Sequence, residues 1–189
     1  MKTTYWFWKN ILSKKQCLKI NNFIEKNCDT AEHPSSAATG INNKKLKYCD
    51  VKLIYWKKVK HLLGDILDNC YSINQQQYGF NLWPMYNVNF INYNIYTPKN
   101  QGSYDWHIDA LDHEKNADIK FTILINTSTK KYTGGELQYC IAEKPNTLKE
   151  LNQSGDIVML RSFFLHKVTP ITSGERITLS LFLTGPKFQ

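Results

Sequence analysis

His107 and Asp109 stand two residues apart in Tyr104-Asp105-Trp106-His107-Ile108-Asp109, a stretch whose composition predicts a β-strand. Strand side chains alternate, so residues i and i+2 share a face, and the imidazole and carboxylate would project side by side as two ligands of one metal ion. A surface edge strand would carry such a pair by accident often enough that the reading needs a third ligand. His166 offers it, 59 residues further on in Phe163-Phe164-Leu165-His166-Lys167-Val168. A polar ring in so apolar a predicted strand needs a hydrogen-bond partner or a metal. The intervening chain is long enough for about four strands, which lets a double sheet return beside its first strand. Two histidines and one carboxylate on a common face are the ligand set that suits Fe(II) with coordination positions left open.

Arg176 follows His166 by ten residues, just beyond the turn signal Gly174. The strand it opens is expected to neighbour that of His166. An arginine at a strand start is commonly a surface ion-pair partner. Pointing inward, its guanidinium would instead grip a carboxylate through two parallel N–H···O bonds. Thr178 would share that face and add a hydroxyl.

The elements that must position these residues can be read from periodicity. Ser13 is a suitable N-cap for a helix over 13–27, whose apolar stripe is Leu18, Ile20, Phe23 and Ile24. Residues 29–45 hold Pro34, Ser35, Ser36, Gly40 and several Asn and Lys, and predict a long flexible loop; the wider 29–50 segment is a potential lid. A second amphipathic helix is expected from Trp56 to Tyr71. From residue 86 onward, short β-rich runs at 104–109, 120–126, 136–141, 156–160, 164–169 and 176–183 alternate with turn signals. The expected fold class is mainly β with flanking helices, as one domain over 1–189: helical support and a loop in 1–80, a β core in 86–185.

The chain's 189 residues suffice for a sizeable core, and no apolar run approaches the roughly 20 residues of a membrane span. Five scattered cysteines without CxxC argue against a disulfide framework or zinc cluster. With no signal pattern at Tyr5-Trp6-Phe7-Trp8, the expectation is a soluble, cytoplasmic protein of a bacterium or phage-infected host. The net charge of +8 invites a nucleic-acid partner, but only Arg161 and Arg176 among 24 basic residues are arginine. Diffuse lysine neutralises phosphates without reading bases, so no specific nucleic acid and no membrane partner is expected.

Five pieces in register carry a resemblance. They are Asn94-Ile95-Tyr96, Tyr104-Asp105-Trp106-His107-Ile108-Asp109, Tyr132-Thr133-Gly134-Gly135-Glu136-Leu137, Gly155-Asp156-Ile157-Val158-Met159-Leu160, and Leu165-His166-Lys167-Val168-Thr169-Pro170 running on to Arg176. Their order resembles the Fe(II)/2-oxoglutarate-dependent oxygenases of the prolyl 4-hydroxylase-like (PKHD-type) group, over roughly residues 86–185.

The resemblance implies a double-stranded β-helix (jelly-roll) core with Fe(II) on His107, Asp109 and His166. It implies 2-oxoglutarate paired through its distal carboxylate with Arg176, with Tyr96 and Thr178 as hydrogen-bond partners and Tyr93 as the alternative to Tyr96. Gly134-Gly135 would be a tight structural turn. O2 is the co-reactant, ascorbate a supporting reductant, and succinate and CO2 the co-products of hydroxylating an unactivated C–H bond. Asp109 favours hydroxylation over halogenation, because related halogenases replace this carboxylate with a small residue. The implied substrate is a prolyl or other residue in a protein or peptide, with a free amino acid or small metabolite as the alternative. Tyr104, Trp106, Arg161 and the 29–50 segment are candidates to shape its pocket. A nucleic-acid demethylase would carry two arginines closer to the distal histidine. A non-catalytic jelly-roll module would have lost a ligand or the arginine, and a cupin would have more histidines and no such arginine.

Overall fold

The computed structural model describes residues 3–33, 46–109 and 117–188. Its elements in chain order are β1 (Tyr5–Trp8), α1 (Lys14–Asn27), β2 (Thr30–His33), β3 (Lys47–Tyr48), β4 (Asp50–Tyr55), α2 (Trp56–Ile73), β5 (Phe90–Tyr96), β6 (Ser103–His107), β7 (Ala117–Asn126), β8 (Tyr132–Gly134), β9 (Leu137–Ile141), β10 (Lys144–Thr147), β11 (Ile157–Arg161), β12 (His166–Val168), β13 (Ile171–Gly174) and β14 (Arg176–Pro186). A seven-stranded sheet in the order β1-β11-β7-β14-β5-β4-β2 faces a five-stranded sheet β10-β9-β12-β6-β3, with β13 and β8 forming a separate pair. The strand-rich sandwich with two flanking helices agrees with the expected fold class.

The expected helices are present. Ser13 caps α1 through a reciprocal box with Gln16, and α2 buries Val59, Leu63, Ile66, Leu67 and Cys70. Both pack on the outer face of the large sheet, against Ile123, Ile125, Met159, Leu179 and Leu181. The central strands β7, β11 and β14 are covered on both faces, which is why they are nearly continuous runs of buried residues.

The structure differs from the sequence reading in four places. The first half of the chain is not purely helical: β1, β2, β3 and β4 join the two sheets as edge or near-edge strands. These strands run from two to six residues and lack clean alternation, so backbone pairing rather than side-chain pattern forms them. The expected 29–45 loop thus holds a strand at Thr30–His33, while residues 34–45, the centre of the potential lid, lie outside the described residues. The strand expected at 164–169 spans only His166–Val168, and the one at 104–109 ends at His107. Finally, β14 does not neighbour β12. It lies in the other sheet, between β7 and β5, so Arg176 reaches the site from across the sandwich.

Candidate active site

His166 at the start of β12 pairs directly with His107 at the end of β6. Asp109, two residues past that strand end, is held by its own backbone N–H, which donates to the Ser162 carbonyl at 2.9 Å. Its carboxylate lies between the two rings, Oδ1 at 3.6 Å from His107 Nε2 and Oδ2 at 3.3 Å from His166 Nε2. One ligand atom from each of the three residues falls within 4.8 Å of the others.

Backbone carbonyls orient both rings. His107 Nδ1 lies 2.7 Å from the Asp105 carbonyl, and His166 Nδ1 lies 2.8 Å from that of Phe164. A carbonyl can only accept, so each Nδ1 carries the proton and each Nε2 turns its lone pair inward, the tautomer a metal ligand requires. Tyr104 stacks flat on His107, with centroids 3.4 Å apart and planes 9° from parallel. Thr122 donates to Asp109 Oδ2 at 2.7 Å.

The electrostatics are those of three coupled buried groups. Burial, then the adjacent His166, pulls the His107 pKa down to about 4. Burial alone would raise Asp109, but the hydrogen bond and charge of His166, aided by His107 and Thr122, hold its carboxyl down at about 2. Burial opposes protonation of His166, and the Asp109 carboxylate overrides it, so the His166 pKa is raised. A proton on His166 Nε2 and a cation bound there would compete for the same lone pair.

The three residues open into a narrow cavity between the sheets that also receives Tyr96, Arg176, Thr178 and Ser180. Arg176 is 2% exposed, and its Nε has no hydrogen-bond partner. Among the described residues no carboxylate forms an ion pair with it. Burying an unpaired guanidinium is costly, so the arrangement calls for an anion. Gly135 makes room for this side chain: at φ +65° it has the left-handed backbone glycine tolerates, and a Cβ there would come within 2.8 Å of Arg176 Cδ. The donor set fits a divalent metal, and the orphaned arginine fits the far carboxylate of a dicarboxylate chelating it.

The comparisons with known proteins bear on the same region. The family model of the 2OG-Fe(II) oxygenase superfamily matches residues 90–184, half of the chain. The chain belongs to this superfamily. Among curated relatives, a PKHD-type hydroxylase of Teredinibacter turnerae is 33% identical over 100 residues, covering 47% of this chain and 43% of the relative. One of Prochlorococcus marinus is 30% identical over 123 residues, covering 64% and 48%. The matches thus span less than half the length of these relatives. Solved structures with the same fold include a viral collagen prolyl hydroxylase from Paramecium bursaria Chlorella virus-1 bound to 2-oxoglutarate, at TM-score 0.67, 15% identity and 97% coverage of both chains. A Pseudomonas putida prolyl-4-hydroxylase has TM-score 0.68 and 13% identity, covering 98% of this chain and 94% of the other. The two neighbours place the jelly-roll core of the superfamily under this chain's site.

Of the residues named from sequence, the structure brings His107, Asp109, His166, Arg176, Tyr96, Thr178 and Tyr104 around one cavity. Tyr93 belongs to the core beneath the helices, on the opposite face of β5, so Tyr96 is the tyrosine facing Arg176. Trp106 lies under Lys167, away from the cavity. Arg161 lines a neighbouring basin. Sequence reasoning missed Thr122 and Lys47. Thr122 is a polar residue set between Phe121 and the apolar run Ile123-Leu124-Ile125, a signal legible in the sequence. Lys47, whose Nζ donates to Asn94 Oδ1 at 2.7 Å, sits in a two-residue edge strand that carries no sequence signal.

Proposed function

We propose that residues 1–189 form one oxygenase domain that hydroxylates an unactivated C–H bond, with Fe(II) held by His107, Asp109 and His166 and 2-oxoglutarate as cosubstrate. The observation that carries this reading is the inward-facing His-Asp-His cluster sharing a cavity with a buried guanidinium that has no anion. Together the metal, 2-oxoglutarate and O2 supply the oxidising equivalents, with succinate and CO2 as co-products.

The chain's own residues bind, orient and exclude water. The two Nδ1–H···O=C bonds fix the imidazoles before any ligand arrives, and Thr122 with the Asp109 N–H bond fixes the carboxylate, so little reorganisation is needed. Arg176 grips the distal carboxylate of 2-oxoglutarate, with Tyr96 and Thr178 donating beside it. Leu124, Leu137 and Val168 give the cavity apolar walls that keep water from the reacting centre.

The substrate we propose is a prolyl or other residue of a protein or peptide. The PKHD-type and prolyl hydroxylase names of the relatives and neighbours support this class, as does a related structure, the Trichoplax adhaerens prolyl hydroxylase, in complex with a peptide fragment. The test has two stages. Calorimetry with Mn(II) in place of iron should show metal-dependent binding of 2-oxoglutarate. Succinate release with Fe(II) should then rise on adding the right member of a panel of prolyl peptides and free amino acids. Absence of metal-dependent 2-oxoglutarate binding would end the oxygenase reading, and stimulation only by free amino acids would end the peptide reading.

A further inference from the structure

Arg161 ends β11, on the outer face of the large sheet, and the next residue, Ser162, accepts the backbone bond from Asp109. The backbone of this strand end is thus tied to Asp109, while the Arg161 side chain lies on the opposite face of the sheet from the cavity of the candidate metal site. Its guanidinium is set among three rings, 4.6 Å from the centroid of Phe164, 5.3 Å from Phe163 and 6.0 Å from Tyr78. These rings account for the cation's lateral faces but offer it no charge. Arg161 Nε is buried without a hydrogen-bond partner, and among the described residues no carboxylate pairs with this side chain.

The arginine opens into a basin of about 580 Å³ lined by Tyr78, Phe80, Phe163 and Phe188. Phe163 and Phe188 are 38% and 44% exposed, although their apolar surface would gain from cover. The walls are held in place. A π-helical turn at Asn74–Tyr78 extends α2 and ends at left-handed Gly79. The Asn74 side chain then clamps Phe80 by accepting from its N–H at 3.0 Å and donating to its carbonyl at 2.8 Å. The Phe188 N–H donates to Asp118 at 2.6 Å. A neighbouring cation, Lys120, lies 3.3 Å from the centroid of the Phe188 ring and already has Asp118 as its carboxylate at 3.8 Å. Among the described residues lining the basin, Arg161 is the cation without a carboxylate partner.

We infer that this basin is a substrate subsite that takes an acidic residue with an apolar neighbour, the carboxylate on Arg161 and the apolar side chain on Phe80, Phe163 and Phe188. The inference rests on the peptide-hydroxylase reading above and names the class of peptide: one with an acidic, apolar segment a few residues from the hydroxylated position. An aromatic surround lowers the local dielectric beside the ion pair and strengthens it. The chain's charge of +8 draws acidic polypeptides toward it over longer range. Single-stranded nucleic acid is the lesser fit, because it needs a track of cations along its backbone and the basin presents one unpaired arginine.

The test requires neither iron nor 2-oxoglutarate, so it stands apart from the oxygenase assay. The capped dipeptides acetyl-Phe-Glu-amide and acetyl-Phe-Gln-amide are titrated into the ¹⁵N-labelled chain, and the Arg161 Nε–H and Phe163 amide signals are followed. The glutamate probe should shift both signals and bind about ten-fold more tightly than the glutamine probe, the gain expected of one charge-assisted pair. Arg161→Gln should erase that preference, and Arg161→Lys should retain part of it, which separates lost recognition from lost folding. Equal binding of the two probes, no shift at either signal, or an unchanged preference in Arg161→Gln would each overturn the proposal. So would an oligothymidylate that shifts the same signals at lower concentration than the peptide.

Discussion

Strand β14 has two faces with opposite tasks. Ile177, Leu179, Leu181 and Leu183 point outward into the core under the helices. Arg176, Thr178, Ser180 and Phe182 point inward to the cavity between the sheets. Nearly all of both sets is buried, yet one is hydrocarbon and the other largely polar. The outer face stabilises the fold by removing apolar surface from water. The inner face holds a guanidinium and hydroxyls whose desolvation opposes folding, and its yield is a site prepared for ligand.

Substitutions on the two faces should therefore fail differently. The largest effect is expected from His166→Ala, which removes one of the three proposed metal ligands. Mn(II) affinity should fall by more than about 100-fold, beyond what loss of a mere supporting partner causes, while thermal unfolding of the metal-free chain changes little. Retained Mn(II) affinity would remove His166 from the metal site. Arg176→Ala comes next. It should leave metal binding nearly intact and weaken 2-oxoglutarate by about 2–5 kcal/mol, measured by calorimetry on the Mn(II) form; Arg176→Lys should fall between. Wild-type 2-oxoglutarate affinity in Arg176→Ala would show that the cavity's far end binds something else.

Leu181→Ala on the outer face should do the reverse. Denaturant unfolding should show a loss of about 2–5 kcal/mol, with Mn(II) affinity of the folded fraction unchanged. A comparable loss of metal affinity would mean that the two faces are not independent. Thr122→Val, which frees Asp109 Oδ2, should weaken Mn(II) by roughly 10-fold with little change in stability.

The smallest perturbation is pH. Metal binding requires both imidazoles neutral, so a proton on His166 must leave when the ion arrives. Because Asp109 raises the His166 pKa above its ordinary 6.5, metal affinity should begin to fall at a pH higher than an unperturbed histidine would dictate, and keep falling as pH drops. His107, at about 4, should add its own competition only in much stronger acid. In Asp109→Asn the His166 component should move to lower pH; an unmoved midpoint would separate it from the carboxylate.

The residue types and spacings determined a good deal by themselves. The two helices followed from apolar stripes and a Ser cap, which are local. The β-rich half followed from short β-branched and aromatic runs between turn residues. His107, Asp109, His166 and Arg176 were legible because each is a polar residue in surroundings that do not otherwise ask for one. What local pattern does not encode is which strand lies beside which. Only the folded chain decided that β14 inserts between β7 and β5, so that Arg176 faces His107 and His166 from the opposite sheet rather than from an adjacent strand. The same pleat turns Tyr96 to the cavity and Tyr93 to the core, since a shift of one residue changes the face and an odd separation along one strand puts the two tyrosines on opposite sides. The edge strands β1, β2 and β3, with Lys47 carried on β3, also belong to tertiary structure. They are too short to show a period, and their free energy comes from backbone bonds to a sheet that exists only once the rest of the chain has folded.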